Sequence, residues 1–120
     1  ATIEMAKRYS KVIVPGALTP TEVVTAWDAG SDAVKIFPAS AMGGAKYIKA
    51  LKAPFPQIEM IPTGGVNLET AADFLKAGAF AVAVGGELID EKTAKEGKYE
   101  VFEERARQYV EIVRKTRQGN

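Results

Sequence analysis

The sequence contains neither cysteine nor histidine. Without cysteine, disulfide bonds, thiolate catalysis and cysteine-ligated metals are excluded. Without histidine, the Ser-His-Asp type of triad, the usual imidazole base and the commonest zinc ligand are excluded as well. Any chemistry must therefore use lysine amines, carboxylates, hydroxyl groups or backbone amides.

A charge excess and a long apolar run are also missing. Sixteen basic residues face fifteen acidic ones, for a net charge of +1. This balance predicts neither a nucleic-acid nor a membrane partner. The apolar stretches are far shorter than the roughly 20 residues needed to span a bilayer, and the N-terminus does not resemble a signal peptide. We therefore predict a cytoplasmic protein.

The 120 residues, 47% hydrophobic and 26% charged, are typical of one globular domain, which we place at 1–120. This length is small for a self-contained enzyme barrel. The chain begins with Ala1 instead of Met, and Ala1–Lys11 has the pattern of a helix near its end. We expect this start to be a cut within a larger protein.

Four short β-rich runs are each followed at once by proline or glycine. Their ends lie at positions 14, 37, 61 and 84, so they are spaced by 23 or 24 residues, the length of one strand–loop–helix unit. The predicted strands are Val12–Val14, Ala33–Phe37, Ile58–Ile61 and Phe80–Val84.

Helical patterns lie between and around these runs. Caps and terminating glycines mark several of their ends, and the last helix carries an apolar stripe. The predicted helices cover 19–29 (capped by Thr19 or Thr21), 43–52, 68–77 (capped by Asn67) and 99–115.

Short strands that alternate with helices indicate an α/β fold with a parallel sheet. Two architectures fit: a (β/α)8 TIM barrel, of which this chain would supply four units, and an open doubly wound sheet. The glycine-rich turns are spread over several strand ends, and no GxGxxG motif opens a helix. This distribution favours the barrel.

Lys35 lies within the most informative strand. Side chains alternate across a strand, so Ala33, Lys35 and Phe37 share one face while Val34 and Ile36 share the other. If the branched pair faces the helices, the Lys35 amine points into the barrel, where desolvation lowers the pKa of an amine. A neutral amine suits Schiff-base formation with a ketone. The alternative is a lysine whose stem packs on the sheet while its head reaches solvent or a carboxylate.

Glycine pairs follow the third and fourth runs, at Gly64-Gly65 after Thr63 and at Gly85-Gly86. Backbone N–H groups free of side-chain obstruction bind phosphate or carboxylate well. The alternative is that these glycines only allow positive φ in tight turns. Their occurrence at consecutive strand ends favours an anion site.

Five segments together resemble the C-terminal half of the 2-keto-3-deoxy-6-phosphogluconate / 4-hydroxy-2-oxoglutarate aldolases. They occur in the family's order between about 12 and 114, and comprise 14–22 (VPGALTPTE), 34–39 (VKIFPA), 54–56 (PFP), 61–67 (IPTGGVN) and 84–86 (VGG).

The resemblance implies a TIM barrel in which these strands are the fifth to eighth. It implies a class I aldolase, needing no metal or cofactor, that cleaves a 2-keto-4-hydroxy acid to pyruvate and an aldehyde, and an assembly that is commonly a homotrimer. Site residues carried over by the resemblance are the Schiff-base Lys35, the pocket-lining Pro15 and Phe37, the substrate-binding Thr63, and the phosphate-binding Gly64, Gly65, Gly85 and Gly86.

Two features depart from the family pattern. Glu87 follows the last glycine pair, where the family often has a phosphate-binding serine. The family's general-base glutamate and its carboxylate-binding arginine come from the first strands of the barrel, which this sequence lacks. Three organisations remain open: a fragment of a full barrel, two copies that pair into one barrel, or a half completed by a separate chain. Rival functions are another phosphate-binding barrel enzyme and a non-catalytic barrel module.

Overall fold

The computed structural model describes residues 1–119, and a parallel three-stranded sheet lies at its centre. The strands are β1 (Gly16–Ala17), β2 (Val34–Ile36) and β3 (Met60–Pro62), in that order across the sheet. An isolated parallel bridge between Thr63 and Ala83 continues the pairing beyond β3. The predicted α/β class and parallel sheet are therefore confirmed.

Helices follow each strand, as parallel pairing requires. The α-helices are α1 (Thr2–Arg8), α2 (Pro20–Asp28), α3 (Ala45–Lys52), α4 (Ala71–Lys76), α5 (Glu91–Lys95) and α6 (Tyr99–Gln118). Between β2 and α3 the chain also forms a short 3-10 helix, Ala39–Met42. Helix α2 contacts β1 and β2, while α6 packs against α4.

The start of α2 resolves the choice between two predicted caps in favour of Thr19. The Thr19 hydroxyl accepts a hydrogen bond from the Glu22 amide at 3.3 Å, and the Glu22 carboxylate accepts one from the Thr19 amide at 2.8 Å. This reciprocal pair is a capping box. The helix ends before Gly30, whose φ of 96° requires glycine as predicted.

The hydrophobic core lies between the sheet and the helices. Val34 and Ile36 are completely buried there, while Lys35, between them, is only half-buried and lies on the other face. The alternation predicted for this strand is therefore confirmed. Other fully or almost fully buried core side chains are Val23, Ile48, Leu51, Ile58, Met60, Ala71 and Phe74.

The first and fourth predicted strands are wrong in their bounds. Strand β1 begins at Gly16, after the predicted 12–14 run, in which Val12 is 81% exposed. The fourth run is reduced to the single bridge at Ala83. Branched residues favour extended backbone, but a strand also needs a partner, and both runs lie at the margins of this sheet.

Two helical features also differ from the prediction. Helix α4 begins at Ala71, because the Asn67 side chain accepts hydrogen bonds from the Glu69 and Thr70 amides and closes a separate turn first. Helix α5, capped by Asp90, was not predicted. Its five residues carry no apolar face that a sequence pattern could show.

Within residues 1–119, no helix is both long enough and apolar enough to cross a membrane.

Candidate active site

Lys35 lies at the centre of β2, on the sheet face that the helices leave open. Its register partners are Gly16 on β1 and Ile61 on β3. The lysine side chain passes over Gly16, where a Cβ atom would lie 3.5 Å from Lys35 Cε. Its Nζ is 5.4 Å from the centre of the Phe37 ring. A Cβ at position 16 would thus be in ordinary van der Waals contact with the lysine stem, so the stem lies directly over Gly16.

Phe37, Thr63 and Gly64, three of the predicted site residues, come together at the carboxyl ends of β2 and β3. Thr63 follows β3 and, by the register, shares the open face with Lys35. Gly64 lies against Phe37 and Pro38, because a Cβ on it would be 3.5 Å from the Phe37 ring. The Ala39 amide donates to the Thr63 carbonyl at 2.9 Å and locks the two strand ends together.

The hydroxyl of Thr63 is buried and has no hydrogen-bond partner among the described residues. Its backbone is fully used, since the Thr63 amide donates to Ile36 and its carbonyl accepts from Ala39. A buried hydroxyl without a partner costs about 1–3 kcal/mol. The Thr63 hydroxyl is therefore an unused donor that the hydrogen bonds of the described residues do not explain.

The two glycine pairs differ in what their backbone requires. Gly64 and Gly65 have φ of 88° and 74°, so both need glycine for the turn itself. Gly85 and Gly86 are not at positive φ, and a Cβ added to either would meet nothing within 4 Å. The folding of this chain therefore does not explain the second glycine pair, which leaves open space for a ligand or another polypeptide.

Pro15 does not lie with the other predicted site residues. It lines a groove near α1 and α2 with Thr25 and Ala26, on the helix side of the sheet. Its link to Lys35 runs through the backbone, because the Lys35 amide donates to the Pro15 carbonyl at 2.8 Å. Alternation explains this position, since Gly16, next to Pro15, is the residue in register with Lys35.

Glu87 lies on the α6 side of its loop. It lines a groove together with its neighbour Gly86 and with Arg105 and Tyr109 of α6, and Tyr109 is 7% exposed. Burial first, and the Glu87 charge second, raise the pKa of the Tyr109 hydroxyl above its usual range. Arg105 is already bonded to the Asp90 carboxylate at 2.7 Å and to the Leu88 carbonyl at 3.2 Å.

Two side chains that the sequence did not indicate as functional hold the loop after β1. The Tyr47 hydroxyl donates to the Leu18 carbonyl, and the Glu22 carboxylate accepts from the Leu18 amide at 2.9 Å. The backbone amides of Thr19, with the larger effect, and of Leu18 donate to the Glu22 carboxylate and lower its pKa. The pattern T-x-x-E could have indicated Glu22, but no local pattern indicates Tyr47.

The arrangement combines an amine, an orphan hydroxyl and free backbone amides at one edge of a parallel sheet. An amine condenses with a carbonyl, and amides with hydroxyls hold carboxylate or phosphate oxygens. In the part of the chain that the structure describes, no carboxylate lies within 4.0 Å of Lys35 Nζ, and no three acidic residues are grouped so as to hold a metal ion.

Known proteins are similar to this chain in sequence and in fold. The model of the KDPG and KHG aldolase family matches residues 2–104. The 2-dehydro-3-deoxy-phosphogluconate aldolase of Haemophilus influenzae is 32% identical over 102 residues, which are 85% of this chain and 48% of that protein. The 2-dehydro-3-deoxy-6-phosphogalactonate aldolase of Escherichia coli is 44% identical over 87 residues, which are 72% of this chain and 42% of that protein.

A solved native KDPGal structure is similar over 97% of this chain and 54% of its own, with 36% identity and a TM-score of 0.86. The KDPG aldolases that are structurally similar to this chain have the TIM-barrel fold. The chain spans about half the length of these relatives. Because the family model covers most of the chain, the chain belongs to the KDPG and KHG aldolase family.

Proposed function

We propose that this chain carries the Schiff-base half of a class I aldolase, with Lys35 as the nucleophile. The substrate is a 2-keto-3-deoxy-6-phospho sugar acid or 4-hydroxy-2-oxoglutarate, and the products are pyruvate and an aldehyde. The observation that carries this proposal is the position of the Lys35 side chain on the open face of a parallel strand, the face that Thr63 shares by the strand register.

The chemistry follows from the amine. The Lys35 amine attacks the substrate ketone, and the carbinolamine loses water to form an iminium ion. The iminium withdraws electrons, so the C3–C4 bond breaks while a base removes the proton of the 4-hydroxyl. The aldehyde leaves, and the enamine that remains on Lys35 is protonated at C3 and hydrolysed to pyruvate and free amine. No electrons are exchanged with a cofactor.

The surrounding groups bind and orient the substrate. We assign the Thr63 hydroxyl to the keto-acid end, because it is an unused donor on the Lys35 face. The Phe37 ring forms one wall, beside Lys35 Nζ. Backbone amides of Gly64, Gly65, Gly85 and Gly86 hold the distant anion. Fixing both ends of the substrate converts binding into orientation of the reacting carbon.

Residues 1–120 form a single domain in this proposal, the C-terminal four βα units of a (β/α)8 barrel. The support is the parallel sheet with its fourth bridged segment, together with the half-length coverage of the aldolases. The other four units supply the general base and close the ring that shelters Lys35. The complete barrel is a homo-oligomer, a trimer by family resemblance, and is cytoplasmic. Light scattering on the purified chain distinguishes a fragment of a full barrel from two self-paired half barrels, since self-pairing gives an even-numbered assembly.

Reductive trapping tests the nucleophile. The chain is incubated with pyruvate and borohydride, digested, and its peptides are weighed by mass spectrometry. We expect a reduced pyruvyl adduct on Lys35 that disappears in Lys35→Met. Lys49→Met on α3 is the matched control, because Lys49 is exposed and lies away from the open face. Adducts spread over surface lysines, or none at all, would refute the assignment.

A second candidate function is a non-catalytic barrel module. The observation that favours it is the distance of all described carboxylates from Lys35 Nζ. Such a module would bind phosphate or a second polypeptide without forming an adduct. Phosphate-dependent thermal stabilisation in a chain that gives no Lys35 adduct would select this function over the aldolase.

A further inference from the structure

Both backbone polar groups of Leu18 are bonded to side chains from other parts of the chain. Leu18 comes directly after β1. Its carbonyl accepts from the hydroxyl of Tyr47, 29 residues away on α3, and its amide donates to Glu22 at 2.9 Å. Glu22 also accepts from the Thr19 amide at 2.8 Å. The exit from β1 is therefore held on two sides, by α2 and by α3.

This strand end supports the proposed nucleophile. Gly16 is in register with Lys35, and the lysine side chain passes over it, with Cε 3.5 Å from where a Cβ atom would be. The Phe37 amide donates to the Ala17 carbonyl at 3.1 Å, one residue before Leu18. A shift of Leu18 would therefore move the surface on which Lys35 rests.

The Tyr47 hydroxyl is suited to a constant donor role. Burial first, and the Glu22 charge second, raise the pKa of Tyr47 above its usual range, so the hydroxyl stays protonated at neutral pH. Its ring is partly buried against the core, so the donor is fixed in place. A half-buried carbonyl that loses such a donor is left unsatisfied and draws in water.

We propose that Tyr47 is a positioning residue for Lys35: through the Leu18 carbonyl it holds β1 against the lysine stem and keeps the amine in its reacting position. This inference rests on the proposed function, because it concerns the adduct-forming amine. Tyr47 itself does not touch the reacting atoms in this proposal. Glu22 holds the same residue from the other side.

The test compares the rate of pyruvyl adduct formation on Lys35 in the wild-type chain and in Tyr47→Phe, using pyruvate with borohydride. We expect the rate at saturating pyruvate to fall about tenfold per folded molecule. The half-saturating pyruvate concentration should stay within about twofold, because Tyr47 does not contact pyruvate. A hydroxyl with a merely structural role would lower the folded fraction but leave this rate unchanged.

Two further variants sharpen the result. Tyr109→Phe is the matched control, since Tyr109 is also a buried tyrosine but donates no hydrogen bond within residues 1–119, and its rate should equal that of the wild type. Glu22→Ala should slow the rate like Tyr47→Phe. The double variant should lose less than the product of the two effects, because both act on Leu18.

The outcomes separate the two proposals. If the wild type forms the Lys35 adduct and Tyr47→Phe forms it equally fast, the positioning role is refuted while the nucleophile stands. If the wild type forms no adduct on Lys35, the proposed function fails, and the inference fails with it. Slow adduct formation in Tyr47→Phe, with faster hydrogen exchange at the 15–19 segment, supports the positioning role.

Discussion

A Cβ atom on Gly65 would lie 2.5 Å from the Cβ of Ser40, closer than two non-bonded carbon atoms can approach. Ser40 belongs to the 3-10 helix after β2, and Gly65 follows β3. The close approach of Gly65 to Ser40 brings together the turns after β2 and β3, which carry most of the proposed site. It also distinguishes glycines that the fold requires from glycines that it does not.

Gly65→Ala should destabilise the chain by about 2–4 kcal/mol, since the residue is strained at positive φ and also collides with Ser40. Gly86→Ala should leave the unfolding free energy unchanged or raise it by about 0.4–1 kcal/mol, because its backbone and surroundings accept a methyl group. Urea unfolding measures both. Equal losses would show that Gly86 is also required by the fold.

The same Gly86→Ala variant should lose affinity for phosphate, because the methyl group fills the space beside the backbone amides. The measurement is the increase in thermal midpoint on adding inorganic phosphate to each protein. We expect a smaller increase in Gly86→Ala than in the wild type. An unchanged increase would place the anion elsewhere.

Thr63→Val should stabilise the chain by about 1 kcal/mol, because it replaces a buried hydroxyl that has no partner. The same change should slow pyruvyl adduct formation, since a ligand donor is lost. Stability is measured by urea unfolding and the adduct by mass spectrometry. A variant that is less stable than the wild type would mean that the hydroxyl has a structural partner.

Substitutions on the two faces of β2 should change the stability by very different amounts. Ile36→Ala should cost about 2–5 kcal/mol, because Ile36 is completely buried against the helices. Lys35→Met should change stability by less than about 0.5 kcal/mol, since the side chain lies on the open face. Denaturant unfolding of both variants checks the assignment of faces. A large loss in Lys35→Met would contradict it.

Acid should weaken the contacts around α5 and α6. The Thr93 amide and Arg105 hold the pKa of Asp90 well below its usual range, and Arg114 lowers the pKa of Glu111 to about 2. Both pKa values are lower in the folded state, so the unfolded state binds more protons below about pH 4. This stabilisation is complete above that pH and is lost as the pH falls toward 2.

Thermal unfolding followed by circular dichroism between pH 7 and about 2 measures this effect. The midpoint should fall with acidification, and the fall should be shallower in Asp90→Asn, which keeps the cap but cannot titrate. The effect will be small for Glu111, since that pair is exposed to solvent and screened by salt. Identical slopes in the two proteins would refute the role of Asp90.

The ends of helix α2 could be predicted from local sequence patterns. Thr19 and Gly30 delimit α2 because a cap and a stop act within a few residues. Asn67 misled the prediction, because its side chain can cap a turn as readily as a helix. The 12–14 run misled it because β-propensity does not state where the hydrogen-bond partner lies.

The site could be predicted only in part from the sequence. Lys35 was located by alternation, a property of the strand itself, and Gly64 by the resemblance and the turn. The placement of Pro15 toward the helices depended on the register between β1 and β2. The contact of Tyr47 with Leu18 joins residues 29 positions apart, and no local signal encodes such a pair.

The sequence alone determined the family, the alternation of the central strands with helices, and the face on which Lys35 lies. These follow from local periodicity and short motifs, which act over a few residues. Tertiary structure alone decided the strand register, the collision of Gly65 with Ser40, the orphan hydroxyl of Thr63 and the hold of Tyr47 on Leu18. Each of these depends on distances between segments far apart in the chain, which packing of the whole core sets.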